Sequence, residues 1–138
     1  MRTLRILIAE DDPFHRSFLS STVRNALPNC ETLYEATDGD EAVSIVTEHN
    51  IDGIVMDLQM PNISGIAAAS SIWAKQPDMH ILFWSNYSDE AYVRGISKIV
   101  PKGNLFSLMA IGAKIIWRKI VTGMLRKKAI TKIAWPIQ

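Results

Sequence analysis

A short apolar run that ends in a single carboxylate constrains this sequence more than any other feature. Residues 54–56 (IVM) lead into Asp57, and Pro61 and Gly65 interrupt the segment that follows. An apolar run of this length between polar segments is typical of a strand buried on both faces of a parallel sheet. Because open α/β sheets place their ligand crevices at the carboxyl ends of such strands, Asp57 is the first candidate for chemistry.

The rest of residues 1–100 alternates between apolar runs of strand length and segments with helical periodicity. Further strands are expected at residues 4–9, 32–36 and 79–84. Helices are expected to begin at four capping positions: Asp12, Asp38, Ser64 and Ser88. The first helix is expected to carry five apolar residues on one face: Phe18, Leu19, Val23, Ala26 and Leu27. This alternation predicts one α/β domain with a doubly wound parallel sheet and right-handed crossovers.

The composition is that of a single globular domain. A chain of 138 residues with 48% hydrophobic and 21% charged residues can form one core. Cys30 is the only cysteine, so no internal disulfide is possible and a reducing compartment is expected. Residues 1–9 lead directly into acidic residues rather than into a cleavage site, and no apolar stretch is long enough to span a bilayer. A cytoplasmic protein without a transmembrane segment is therefore expected.

Four polar side chains, Glu10, Asp11, Asp57 and Ser85, lie at the carboxyl ends of predicted strands. Parallel strands bring those ends to one edge of the sheet, so the four side chains are expected in one crevice. Three carboxylates in one crevice raise one another's pKa unless a cation lies among them. A hard divalent ion is implied, and Mg²⁺ is the natural candidate because it binds few protein carboxylates together with a phosphoryl group. Asp12 is instead expected to cap a helix.

Three segments of the sequence, LIAEDDP, VMDLQMPNISG and LFWS, together resemble the receiver domain of two-component response regulators. The resemblance covers residues 4–96. It implies a flavodoxin-like (βα)5 fold with a five-stranded parallel sheet, in which the sequence leaves the position of the fifth strand open. It also implies a signalling domain rather than an enzyme, phosphorylated by a histidine kinase or a phosphotransfer protein.

The same resemblance implies a role for each candidate residue. Asp57 would accept the phosphoryl group, and Ser85 would bond to a phosphoryl oxygen on activation. Glu10 and Asp11 would hold Mg²⁺ together with Asp57 and the backbone carbonyl of Gln59. The added negative charge would then draw Ser85 inward and move the fourth helix. This movement would change contacts with an output protein, or between two copies of the chain, through the fourth and fifth elements.

A receiver also carries a lysine at the end of its fifth strand, and two registers compete for that position. In the first, residues 99–100 form a stub of the strand and Lys102 is the lysine. In the second, the fourth helix continues to residue 100, residues 105–111 form the strand and Lys114 is the lysine. In both registers the residue three positions earlier is isoleucine, where receivers usually carry an aromatic side chain. Lys102 is the first candidate and Lys114 is the other.

Acidic and basic residues are unequally distributed along the chain. All 14 acidic residues lie within residues 1–90, whereas residues 91–138 hold ten Lys or Arg and no acid. The receiver domain is expected to cover residues 1–125, followed by a basic tail at residues 126–138. The tail could contact nucleic acid or an anionic surface, although a solvated basic face is the simpler interpretation. An altered reading frame after about residue 100 is a further interpretation of the same pattern.

Two other functions remain open at this point. A haloacid-dehalogenase-type phosphatase also uses an aspartate after a strand with Mg²⁺, but it requires a second acid two residues later, where this chain has Gln59. A receiver-like interaction module that is never phosphorylated is favoured if neither lysine reaches the site. Both are alternatives to a receiver phosphorylated on Asp57.

Overall fold

The computed structural model describes residues 3–84 and 90–104. The strands are β1 (Leu4–Ala9), β2 (Cys30–Ala36), β3 (Gly53–Asp57) and β4 (His80–Trp84). The helices are α1 (Pro13–Ala26), α2 (Gly39–Glu48), α3 (Gly65–Lys75) and α4 (Glu90–Ile99). The predicted alternation is confirmed, with β2 beginning earlier than expected. No helix in the described ranges is long and apolar enough to cross a membrane.

All strand pairs of the sheet are parallel, and the strand order is β2-β1-β3-β4. The central strand β1 pairs with β3 so that Ala9 lies opposite Met56. On the other side of β3, Asp57 lies opposite Trp84, the last residue of β4. The carboxyl ends of β1, β3 and β4 therefore meet at one edge of the sheet. The predicted fifth strand lies outside the described residues.

Helices cover both faces of the sheet, which confirms the doubly wound arrangement. Alternate residues of a strand point to opposite faces, and β1 shows this directly. Leu7 and Ala9 belong to a buried cluster with residues of α2 and α3, such as Val46 and Ile72. Three other residues of β1 belong to a second cluster, which includes the inward face of α1: Leu4, Ile6, Ile8, Leu19, Val23 and Leu27. The apolar run of each central strand is thus explained by burial on two sides.

The inward face of α1 differs from the prediction at Phe18. Leu19 is 2% exposed, whereas Phe18 is 54% exposed and Phe14 is 78% exposed. Leu19, Val23 and Leu27 recur at intervals of four and form the stripe that packs on β1 and β2. Phe14 and Phe18 share the same spacing on a neighbouring stripe that faces solvent. The prediction that Phe18 shares one face with Leu19 was wrong, because the helix turns only one of two adjacent apolar stripes to the sheet.

The first register for the fifth strand is also wrong at residues 99–100. Ile99 is the last residue of α4, and the Val100 N–H donates to the Ile96 carbonyl over 3.1 Å, as in a helix. The second register continued this helix to Val100, one residue beyond its end at Ile99. Its strand at residues 105–111 lies outside the described residues.

A turn at residues 101–104 follows α4 and is hydrogen-bonded to the residues just before β4. The Asn104 side-chain amide donates to the carbonyls of Pro77 and Met79, over 3.1 and 2.8 Å respectively. Gly103 adopts a positive φ of 92°, a conformation that glycine takes without steric cost. The chain therefore leaves the described fold at the amino end of β4.

Candidate functional site

Three carboxyl groups meet at the carboxyl edge of the sheet. One ligand oxygen each from Glu10, Asp11 and Asp57 lies within 4.8 Å of the others. Glu10 and Asp11 directly follow β1, and Asp57 ends the adjacent strand β3. Parallel pairing of these strands explains why residues so distant in sequence converge. The predicted acidic cluster is thus brought together in space.

Exposure differs strongly among the three acids. Glu10 is 2% exposed, Asp57 is partly buried and Asp11 is exposed. Glu10 Oε1 accepts a hydrogen bond from the Asp12 N–H over 3.3 Å and lies 3.5 Å from His15 Nδ1. No donor among the described residues reaches the buried Glu10 Oε2. Its neighbour is the Asp57 carboxyl, which can donate only when it is protonated.

Burial and mutual repulsion change the acidity of this pair. Desolvation, together with the hydrogen bond and the charge of Glu10, raises the pKa of Asp57 to about 8. Burial also raises the pKa of Glu10. The Gln59 N–H donates to Asp57 Oδ1 over 3.3 Å, and this bond offsets the shift only in part. In the absence of a cation, both carboxyls therefore keep a proton to higher pH than free carboxyls do, and the pair can share one proton.

The donor set fits a hard divalent cation. All three side chains offer oxygen, one of these oxygens is buried without a donor, and the exposed Asp11 leaves the cluster open to solvent. Mg²⁺ prefers oxygen ligands and retains several waters, so a partly open cluster of few carboxylates suits it. A cation here would replace the shared proton and satisfy Glu10 Oε2.

The loop that follows Asp57 is held closely against the strand end. Gly65, the first residue of α3, donates its N–H to the Leu58 carbonyl over 3.0 Å. A Cβ atom at this position would overlap the carbonyl oxygen of Asp57. Asn62 has a positive φ of 66°, and its side-chain amide donates to Asp38 Oδ2, at the start of α2, over 3.0 Å. The loop carrying Gln59 is therefore fixed at both α2 and α3.

The remaining predicted site residues lie elsewhere. Lys102 is exposed in the turn at residues 101–104, whose Asn104 is bonded to Met79 before the start of β4. Asp57 is level with Trp84 at the other end of that strand, about 16 Å away at 3.3 Å per residue. The structure therefore does not bring Lys102 to the carboxyl cluster. Ser85 and Lys114 lie outside the described residues.

Sequence reasoning missed one side chain, Arg16, that contacts the main chain of two residues of the acidic cluster. The Arg16 guanidinium donates to the backbone carbonyls of Glu10 and Asp11, over 2.9 and 3.3 Å respectively. The only signal was a basic residue one turn into α1, immediately after the acidic segment. Such a residue also fits an ordinary solvated helix face, so the sequence alone did not single it out.

Comparison with known proteins agrees with this architecture. The response regulator receiver domain family matches residues 6–104. The transcriptional regulatory protein DegU of Brevibacillus brevis is 30% identical over 118 residues, which cover 86% of this chain and 50% of that protein. The chain thus spans half the length of this relative.

Two solved structures show the same fold. Response regulator protein TrrA of Thermotoga maritima, in complex with Mg²⁺ and BeF, has a TM-score of 0.64 and 24% identity, covering 88% of this chain and 99% of that one. A receiver domain of Saccharomyces cerevisiae, crystallised with its histidine phosphotransfer protein, has a TM-score of 0.58 and 26% identity, covering 73% of this chain and 76% of that one. With the parallel sheet, the acidic cluster and the matched family together, the chain belongs to the response regulator receiver domains of two-component signalling.

Proposed function

We propose that this receiver accepts a phosphoryl group on Asp57, from a histidine kinase or a phosphotransfer protein, and signals by a conformational change. The observation that supports this most strongly is the convergence of Glu10, Asp11 and Asp57, with a buried Glu10 oxygen that lacks a donor. A structural role does not explain this arrangement, because burying repelling carboxyls lowers stability. The receiver itself is proposed to be a signalling domain and not an enzyme acting on other substrates.

The proposed reaction uses the Asp57 carboxylate as the nucleophile. One Asp57 oxygen forms a bond to phosphorus while the bond from phosphorus to the donor histidine nitrogen breaks, and that nitrogen leaves with the electron pair and takes up a proton. The Gln59 N–H holds Asp57 Oδ1 over 3.3 Å, which leaves Oδ2 for the attack. Glu10 and Asp11, with the Gln59 carbonyl, would hold Mg²⁺. When bound, Mg²⁺ supplies charge neutralisation for the phosphoryl oxygens.

Two further residues complete the proposed site. Ser85 follows Trp84, which lies level with Asp57, so we assign the switch hydroxyl to Ser85. For the lysine we now favour Lys114 over Lys102, because the chain leaves the described fold at the amino end of β4. A strand that begins at residue 105 and runs parallel to β4 would carry the following residues toward the Asp57 end of the sheet.

The domain limits and location follow the same proposal. Residues 1–125 would form the receiver and residues 126–138 a basic tail, and the output surface would include α4 and the segment after it. That surface would bind an output protein or a second copy of the chain. A cytoplasmic location suits a phosphodonor that is itself a cytoplasmic domain.

The proposed donor must contact the surface around the acidic cluster. Phe14 and Phe18 on α1 are the large apolar side chains that the described residues leave exposed, and Phe14 lies two residues after the cap of that helix. Large exposed apolar residues at a functional rim mark protein contacts. We assign the contact with the phosphodonor protein to this pair.

The test is incubation of the full chain with acetyl phosphate and Mg²⁺, followed by intact-mass measurement. The expected result is one added phosphoryl group in the wild type and none in Asp57→Asn. Continuous release of phosphate from several phosphoesters would instead indicate a phosphatase. Neither adduct nor turnover would indicate an interaction module that is never phosphorylated, and would overturn the proposal.

A further inference from the structure

We propose that Arg16 is a positioning residue for the metal site: its guanidinium fixes the main chain of the two residues, Glu10 and Asp11, that offer carboxylates to the cation. The inference rests on the proposed function, since it concerns the Mg²⁺ that would serve phosphorylation. Arg16, on α1, would hold in place the loop main chain that carries two of the three carboxylates.

The contacts of Arg16 are those of a side chain that bridges three segments. Its NH1 group donates to the Glu10 carbonyl over 2.9 Å and to the Asp11 carbonyl over 3.3 Å. Its Nε lies 3.7 Å from Glu35 Oε1 on β2, and the same oxygen accepts a hydrogen bond from Ser20 on α1 over 3.1 Å. The Arg16 side chain is only 20% exposed. A planar guanidinium with five donors makes such a bridge, whereas a lysine ammonium does not.

The segment held by Arg16 has few other constraints. Residues 10–12 lie between β1 and α1 and belong to neither. The Glu10 N–H donates to the Ala36 carbonyl over 3.0 Å, whereas the carbonyls of Glu10 and Asp11 accept from the Arg16 guanidinium. Holding both carbonyls restricts the main chain from which the two carboxylates project, and therefore restricts the positions in which the carboxylates can meet. Groups outside the ligand set commonly act on metal affinity in this manner.

The direction in which Mg²⁺ affinity changes when Arg16 is removed distinguishes a role through charge from a positioning role. A positive guanidinium near a cation site weakens cation binding by repulsion, so a role through charge alone predicts that removing Arg16 strengthens Mg²⁺ binding. A positioning role predicts the opposite. Glu35 neutralises the guanidinium, so the fixed pair adds little net charge to the site. The two roles are therefore distinguished by the direction of one measurement.

The experiment is calorimetric titration of Mg²⁺ into the 138-residue wild type and its variants Arg16→Ala, Arg16→Lys and Glu35→Gln. Arg16→Ala is expected to weaken Mg²⁺ binding about 10-fold, as losses of outer-shell groups do. Arg16→Lys, which keeps the charge, and Glu35→Gln are expected to show smaller losses in the same direction. Arg24→Ala is the matched control, because it removes the same charge from an exposed position in the last turn of the same helix.

A second readout separates positioning from loss of folding. In Arg16→Lys, the Mg²⁺ concentration that half-saturates labelling by acetyl phosphate should rise by the same factor as the dissociation constant for Mg²⁺. At saturating Mg²⁺, the labelling rate of this variant should equal that of the wild type. In a variant that is only partly folded, the fraction of protein that becomes labelled would fall instead. Circular dichroism melts without Mg²⁺ establish that each variant is folded at the assay temperature.

The outcomes are distinct for the two proposals. If the wild type is labelled on Asp57 but Arg16→Ala binds Mg²⁺ as well as or better than the wild type, the inference about Arg16 is overturned and the proposed function stands. An equal loss in Arg24→Ala would overturn the inference as well. If the wild type neither binds Mg²⁺ nor accepts a phosphoryl group, both proposals fail.

Discussion

The helix cap Asp12 and the buried carboxyls of Glu10 and Asp57 behave in opposite ways. Asp12 caps α1, where its exposed carboxylate accepts from the N–H groups of Phe14 and His15 over 2.8 and 2.9 Å. These bonds lower the pKa of Asp12. At Glu10 and Asp57, burial without enough donors raises the pKa of each carboxyl. The environment rather than the residue type thus separates a structural acid from one available for chemistry.

The largest expected effect concerns Asp57 and pH. An unfolded Asp57 loses its proton near 3.8 and the folded one near 8, so the folded state holds an extra proton between those values. The free energy of unfolding of the metal-free wild type should therefore fall as pH rises through this window. Asp57→Asn removes the titration and should be more stable at pH 8 by roughly 2 kcal/mol or more. Urea unfolding across the pH range measures this difference.

Two controls sharpen that measurement. Mg²⁺ should restore the stability of the wild type at high pH and leave Asp57→Asn nearly unchanged, because binding replaces the shared proton. Asp40→Asn, at an exposed position in the first turn of α2, should keep the pH dependence of the wild type. A flat pH profile in the metal-free wild type would contradict the assignment of a shared proton.

The next effect concerns the contact between α3 and the acidic strand end. Gly65→Ala places a Cβ against the backbone of Asp57 and Leu58, so it should lower the free energy of unfolding by about 2 kcal/mol, as overpacking does. Gly95→Ala in α4 is the matched control, since among the described residues its Cβ would meet only Ile66 Cδ1, at 3.8 Å. That control should stabilise the protein slightly through helix propensity. Equal effects in denaturant unfolding would show that the close approach at Gly65 has no consequence.

A smaller effect is expected on the exposed face of α1. The double substitution Phe14→Ala and Phe18→Ala should reduce labelling by a phosphorylated histidine phosphotransfer protein about 10-fold, because an apolar contact is lost. Labelling by acetyl phosphate should not change, since neither ring belongs to the carboxyl cluster. Ser21→Ala, also exposed on α1, is the control. Equal losses with both donors would place the rings in the site rather than on a docking surface.

The smallest effect is expected at the structural acid. Asp12→Ala should lower the thermal midpoint by a few degrees, because the cap is lost, while Mg²⁺ affinity stays the same. Asp12→Ser retains a capping oxygen and should recover most of the midpoint. A large loss of Mg²⁺ affinity in Asp12→Ala would contradict the separation between the two sets of acids.

The sequence allowed the topology and the acidic cluster to be predicted because both follow from local patterns. Apolar runs identify buried strands, and acids after those runs must meet at one edge of a parallel sheet. Burial could not be read in the same way. Nothing in the sequence distinguishes Glu10, which is 2% exposed, from the exposed Asp11 beside it. Their difference arises from tertiary packing at the end of β1, which leaves Glu10 buried and Asp11 exposed.

The incorrect predictions have physical reasons too. Phe18 and Leu19 are adjacent apolar residues of one helix, and periodicity alone does not decide which of them faces the sheet. Ile99 and Val100 are β-branched and favour strands, but tertiary packing continues α4 through Ile99. The role proposed for Arg16 depends on contacts across a loop and a neighbouring strand, which no local pattern reports.

The contacts of the loop after Asp57 determine which neighbouring helices can move. The Asn62 side chain is hydrogen-bonded to Asp38 at the start of α2, and Gly65 packs the start of α3 directly against the end of β3. We therefore expect α2 and α3 to move little if a phosphoryl group is added to Asp57. By contrast, α4 is joined to this region through a small buried pair, Leu58 and Ile96. If Asp57 is phosphorylated as we propose, we therefore expect the resulting displacement to appear at α4 rather than at α2 or α3.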